Sequence, residues 1–318
     1  MRPRQVAAAL PLCAVLALAT CGPAEAPAEP PLDVAAHAAA VEAWRVKHDE
    51  DYRRDWVSVA GLYPLKPGPN TVGSESSNDI VLSAPVPATL GRFELDGPRV
   101  VFDPAPGVEV QMKGQPLTGP TELLGGDPPA ARELTIGTVR LVVHTSGSTR
   151  ALRVRDPNGP LAVGFLGFTW FPIDPSYRVV GRFIRDSAPR RLNVPNTLGD
   201  EDAYTTEGVV EFALHGRTVR LRPFTTRPKR LYFVFRDASS GTETYATARF
   251  LYADLADDGT TVLDFNQAYN PPCAFNPYTT CPIPLPENRL PVKILAGEKA
   301  YPEKVPQASI GRAPVPLK

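Results

Sequence analysis

Three polar clusters near the C-terminus hold the residues best suited to chemistry. The first is Phe235-Arg236-Asp237-Ala238-Ser239-Ser240-Gly241, followed by Thr244, Tyr245 and Arg249. The second runs Leu263-Asp264-Phe265-Asn266-Gln267-Ala268-Tyr269-Asn270-Pro271-Pro272-Cys273. The third contains Cys281-Pro282, Glu287-Asn288-Arg289-Leu290 and Ala296-Gly297-Glu298-Lys299. Two carboxylates at a suitable separation suffice for acid–base hydrolysis, which makes Asp264 and Glu298 the catalytic candidates. In that reading Arg249 binds a carboxylate or phosphate and Tyr269 forms a wall. Arg236, Asn266, Asn270, Asn288 and Arg289 complete the candidate ligand-binding set.

The same residues would serve as fasteners. A Pro-rich loop after Asp264 must pair its backbone groups outside a regular ladder. Side-chain amides of Asn266, Asn270 and Asn288 can satisfy such a loop, and Arg249 or Arg289 can pair with Asp264 or Glu298. The cluster is then a long C-terminal strap pinned across a β domain. Both readings stand on sequence alone.

Cys273 and Cys281 enclose Ala274-Phe275-Asn276-Pro277-Tyr278-Thr279-Thr280. In an exported chain a disulfide between them is the simplest expectation. Two cysteines fall short of four metal ligands, and a catalytic thiolate would want a histidine partner. His144 and His215, in or beside strands, read as packed or solvent-facing side chains. The sequence lacks a Gly-x-Ser-x-Gly elbow, a His-Glu-x-x-His pair, a phosphate-cradling glycine loop and a dinucleotide fingerprint. No metal and no cofactor is expected.

The three clusters together resemble the family known as domain of unknown function 1684. The resemblance extends through Arg153-Val154-Arg155-Asp156 back to Trp44-Arg45 and residues 73–82. It implies no activity, only that the polar residues of these motifs form a shared site or a shared scaffold.

Those residues need a scaffold to position them. The chain has 318 residues, too many for one comfortable hydrophobic core, so two domains are expected. Lys+Arg and Asp+Glu both number 34, so no net field recruits nucleic acid. Proline numbers 37, more than twice the roughly 5% of average usage. That excess favours short strands, turns and extended segments over helices.

Arg2 and Arg4 precede an apolar run over residues 6–20, the pattern of a signal peptide at 1–20. Leu18-Ala19-Thr20-Cys21-Gly22 resembles a lipobox, which implies acylation of Cys21. Pro27 would hinder the alternative cleavage after Ala24-Glu25-Ala26. Residues 21–32, alternating Pro, Ala and Glu, read as an extended tether. The expected location is the bacterial cell envelope, lipid-anchored and facing the periplasm or exterior. The membrane is then one partner, and a small molecule or an envelope protein another.

Residues 33–55 carry the one helical stripe, through Val34, Ala38, Val41, Trp44 or Arg45, His48 and Tyr52, with Asp33 as N-cap. The stripe is expected to pack on the domain that follows. Residues 56–157 alternate short strands and turns, including a hairpin around Asp96-Gly97-Pro98. Here Gly73-Ser74-Glu75-Ser76-Ser77-Asn78-Asp79-Ile80-Val81-Leu82, the 110–117 run and Leu124-Gly125-Gly126-Asp127 resemble the forkhead-associated sandwich. That family binds phosphothreonine through an Arg where this chain has Ser74, and a His element where it has Pro85-Val86-Pro87. The resemblance therefore implies a scaffold that has lost its phosphate ligands.

A second antiparallel β domain is expected over 158–300, ending in the strap, with a tail at 301–318. Its strands are expected at 165–171, 177–184, 208–214, 217–221, 231–236 and 244–251, with a tight turn at His215-Gly216. The fold class is mainly β. The leading function is a ligand-binding or assembly module, and the alternative is a carboxylate-based hydrolase.

Overall fold

The computed structural model describes residues 32–123, 132–146, 149–197 and 199–302. The expected signal peptide, Cys21, the tether up to residue 31, Leu124-Gly125-Gly126-Asp127 and the tail from residue 303 lie outside them. Among the described residues no helix is long and apolar enough to cross a membrane.

The chain is mainly β with one long helix, α1 (Val34–Tyr52). Asp33 caps it, its carboxylate accepting the Ala36 amide at 3.0 Å. A π-helical turn, Arg53–Val57, lets the chain leave the helix axis into the first strand. A second, four-residue helix, α2 (Pro160–Val163), marks the passage to the second half.

Among the described residues, eleven strands build the first half: β1 Val59–Pro64, β2 Gly68–Gly73, β3 Ile80–Val81, β4 Gly91–Asp96, β5 Arg99–Pro104, β6 Gln111–Met112, β7 Gln115–Pro116, β8 Thr121–Glu122, β9 Leu134–Ile136, β10 Val139–Ser146 and β11 Thr149–Arg155. One sheet runs β1-β11-β10-β9-β6-β7, the other β3-β2-β4-β5-β8. The inward residues of both sheets, among them Phe93, Phe102, Leu134, Leu141 and Leu152, form one core.

Among the described residues, seven strands build the second half: β12 Arg178–Pro195, β13 Glu201–Leu214, β14 Arg217–Leu221, β15 Phe224–Arg227, β16 Arg230–Phe235, β17 Arg249–Asp254 and β18 Thr260–Asp264. They form the sheets β14-β13-β12-β18 and β15-β16-β17. The His215-Gly216 turn joins β13 to β14 with both residues at positive φ, as a type I′ turn requires. Strands β12 and β13 run far beyond their sheet as a ribbon, interrupted by a register shift between Arg185 and Arg190, where Pro189 removes a donor. The ribbon's tip reaches the other sandwich: Asn196 Nδ2 donates to Ser146 Oγ at 3.0 Å.

The strap after residue 286 belongs to this second core. Leu290, Val292, Ile294 and Ala296 are buried in alternation, the period of a strand without a ladder.

Three expectations need correction. Residues 165–171 form no strand; only Trp170 bridges Glu298. Gly164, Gly167 and Pro172 interrupt the run, and its rings pack against α1 instead. Strand β17 starts at Arg249, because residues 237–244 fold into turns around Ser239. Helix α1 packs on the second β domain, skipping the sandwich that follows it in sequence. Its buried residues are His37, Val41, Arg45, His48 and Tyr52, and their partners lie in the second half.

Candidate functional site

Most of the motif-region residues are bound to one another. Arg249 is fully buried. The register Phe235↔Arg249 across β16 and β17 brings its side chain to Asp237, just beyond the end of β16. Arg249 Nη1 donates to Asp237 Oδ2 at 2.8 Å and to the Ile294 carbonyl at 2.9 Å, and Nη2 to the Ala296 carbonyl. Asp237 in turn accepts from the Ser239 and Ile294 amides. The guanidinium thus clamps the strap to the sheet. Its ion-pair partner is Asp237 rather than the expected Asp264 or Glu298.

Glu298 is buried as well. It accepts the Asn270 amide at 2.7 Å and Asn270 Nδ2 at 2.8 Å. Burial pushes its pKa up to about 8, against the opposing pull of those hydrogen bonds and of Arg249. Asp264 lies elsewhere: its Oδ2 meets His37 Nε2 at 2.7 Å, and its Oδ1 accepts from the Asn266 amide and Nδ2. The histidine clasps the first turns of α1 to the second domain. The two carboxylates expected as acid and base therefore each have a local structural partner set.

The asparagines replace the missing ladder. Asn266 exchanges hydrogen bonds with both backbone groups of Asp174, at 2.9 Å each. Asn288 does the same with Arg222 and also donates to the Val234 carbonyl. Asn276, within the Pro-rich loop, donates to the Trp56 and Val59 carbonyls at 3.1 and 2.7 Å. Arg236 and Arg289 form a parallel bridge through their backbones, with the Arg289 side chain exposed.

Cys273 and Cys281 are not joined by a disulfide; both are 1% exposed, with the Cys273 amide 3.4 Å from Cys281 Sγ. The cross-link expected of an exported chain is thus not formed here, though the pair is adjacent. Burial pushes the Cys281 thiol pKa well up, which keeps it protonated and unreactive. Among the described residues no group of three or more His, Cys, Asp or Glu side chains could hold a metal.

Another predicted residue borders a cleft. Tyr269 lines a cleft of about 310 Å³ between α1 and the β16–β17 edge. Helical spacing supplies one wall in two rows: Trp44, His48, Tyr52 and Trp56 four residues apart, and Lys47, Asp51 and Asp55 beside them. The opposite wall is Arg230, Leu251, Tyr252, Gln267 and Tyr269. His48 stacks between Trp44 and Tyr52, with ring centroids 4.8 and 4.3 Å away. Its Nε2 is buried with no hydrogen-bond partner in the protein, and burial pushes its pKa down to about 4. A neutral imidazole results, able to accept or donate one hydrogen bond.

The rim charges neutralise one another. Lys47 pairs with Asp51 at 2.9 Å, Arg54 with Asp55 at 2.6 Å, and Arg230 with Asp254 at 2.9 Å. In sequence the 44/48/52 row reads first as packing, ahead of a partner-binding helix, because an aromatic stripe at helical spacing looks the same whether it is covered or left open.

Among solved structures, an uncharacterized protein of Haloarcula marismortui, determined by NMR in solution, is 30% identical. The match covers 45% of this chain and 82% of that one, with a TM-score of 0.38. No curated protein matches. Residues 163–299, which hold the Arg249 clamp, the asparagine fasteners and the Tyr269 wall of the cleft, match the model described as Protein of unknown function (DUF1684), and the chain belongs to that family.

Proposed function

We propose that this chain is a non-catalytic ligand-binding module of the bacterial cell envelope, anchored through lipid on Cys21, that takes a small uncharged ligand in the cleft between α1 and the second β domain. The observation that carries the reading is the aromatic lining of that cleft beside the unpartnered Nε2 of His48. Its volume lies at the lower end of the roughly 300–1,000 Å³ typical of small-molecule sites. Paired rim charges leave no net charge to recruit an ion, whereas ring faces and spare lone pairs suit a hydroxylated ring with one apolar face. The first sandwich serves as a forkhead-associated-like scaffold in this reading. At the loop where a phosphate would bind, Ser74 and Glu75 are exposed, and a carboxylate there opposes a dianion.

Trp44 and Trp56 line the cleft, so occupancy should alter tryptophan emission. We expect N-acetylglucosamine or a methyl glucoside to shift the emission saturably and raise the melting temperature of the mature chain. Trp44→Ala should abolish both responses. A wild-type protein indifferent to both sugars, or a Trp44→Ala variant that still responds, would overturn the reading. Globomycin-sensitive processing with a mass shift on Cys21 tests the anchor, and an unmodified Cys21 would rule it out.

A further inference from the structure

One of the other buried unsatisfied groups, Arg153, lies where the two halves meet. The pleat of the β10–β11 pair sets Arg140 opposite Arg155, Val142 opposite Arg153 and His144 opposite Ala151. This is the face of the six-stranded sheet turned away from its own core, yet Val142, Ala151 and Arg153 are only 6, 3 and 7% exposed. The cover comes from the π-helical turn and the Pro-rich loop. Trp56 lies against the Arg153 guanidinium, 5.3 Å from ring centroid to Cζ. Thr280 Oγ1 sits 3.4 Å from His144 Nε2, and Asn276 ties the loop to Trp56 and Val59.

Three arginines therefore share one covered face. Arg155 pairs with Glu133 at 2.7 Å, and Arg140 reaches Glu133 at 3.5 Å and Asp55 at 3.9 Å. Arg153 has neither. Among the described residues its side chain makes no ion pair and no hydrogen bond, and its Nε is fully buried without a partner. Burial and the nearby Arg155 lower its pKa to about 10, which leaves it charged at neutral pH. A cation–π contact compensates only a small part of what a desolvated, unpaired guanidinium costs.

We propose that Arg153 is an anion-binding site: at the seam between the two halves its guanidinium, backed by Trp56, receives the carboxylate or phosphate group of a small ligand. A planar fork of donors matches two oxygens of either group in a bidentate arrangement. His144, made neutral by burial and by Arg153, and the Thr280 hydroxyl border the same face and offer further hydrogen bonds. The site is chemically opposite to the neutral-ligand cleft, with which it shares the Trp56 side chain.

The test titrates the mature chain at pH 7 with sodium acetate and, separately, sodium phosphate against sodium chloride at matched ionic strength, following melting temperature and tryptophan emission. The wild type should respond saturably to at least one of the two oxyanions, and the one that acts identifies the ligand group. Arg153→Met should lose at least ten-fold in apparent affinity, while melting in chloride at or above the wild-type temperature because an unpaired charge has been removed. Arg153→Lys should bind more weakly than wild type, since it keeps the charge and loses the fork. Should Arg153→Met fail to fold, or melt below the wild type in chloride, the guanidinium is a structural element and the proposal is overturned. A wild-type protein no more responsive than Arg153→Met to either anion overturns it equally.

Discussion

Two buried arginines in one chain have opposite surroundings. Arg249 has a carboxylate and two carbonyls on its two terminal nitrogens, leaving only Nε without a partner, and is sealed from solvent. Arg153 has a tryptophan face, no counter-ion among the described residues, and 7% exposure. The contrast recurs on a larger scale. The strap is densely fastened: each of Asn266, Asn288 and Glu298 is tied to backbone on a neighbouring segment, and only Arg249 Nε and Asn270 Oδ1 in that cluster stay buried without a partner among the described residues. The helix side is not, with Nε2 of His48 unmatched. Saturated polar groups fix a fold, whereas a buried group left unmatched is costly unless something from outside completes it. That difference relocates the interest of this molecule from its most motif-rich segment to its seams.

The sharpest way to break the comparison is Arg249→Met. It leaves Asp237 buried without a counter-ion, and we expect a loss of about 3–5 kcal/mol in denaturant unfolding of the second domain. If Arg249→Met and Arg153→Met cost the same, the distinction between them disappears. The cysteine pair comes next. In protein recovered from an oxidising compartment we expect Cys273 and Cys281 to be joined, with the intact mass lower by two hydrogens. Closing that loop should add about 2.5 kcal/mol, lost on reduction. Two free thiols after oxidative recovery would remove this support from the strap side.

Gly297→Ala probes how tightly the strap is seated. Gly297 has φ +77°, and an added Cβ would lie 2.2 Å from the Ala268 carbonyl oxygen. A loss of about 2 kcal/mol is expected from thermal or denaturant unfolding. The smallest effect is a pH slope. His48 is held neutral in the fold with a pKa near 4, below its ordinary 6.5. The unfolded chain therefore takes up the proton first, and stability falls as pH drops from 6.5 toward 4, by about 1 kcal/mol at pH 6. His48→Phe should flatten that limb; an unchanged acid slope would show that His48 is not what sets it.

Local chemistry made part of this readable in advance. Asp33 as N-cap, the hairpin at residues 91–104 and the His215-Gly216 turn follow from rules that act over a few residues. The asparagines were recognisable as fasteners, but their partners were not, because Asn276 and Asn288 reach segments 217 and 54 residues away. Arg249 was matched to the wrong carboxylates for the same reason. Only the register of β16 on β17 shows that Asp237 is the acid within reach. The cleft was hidden by its composition: Trp44, His48 and Tyr52 have core-like spacing, and sequence carries no sign of what stands opposite. Arg153 was hidden by the pleat, since a strand covered on both faces is revealed only by the neighbour that covers it.

The β12–β13 ribbon carries a consequence of a different kind. Its excess over the four-stranded sheet ends at Asn196, against Ser146 of the other half. Each residue adds about 3.3 Å to a strand, so the separation of the two halves at this point is written in the genome as a number of codons. Insertions or deletions here, made as matched pairs in both strands to keep the pleat in phase, would move the tip in steps of about 6.6 Å. The ribbon is a ruler, and its graduations are dipeptides.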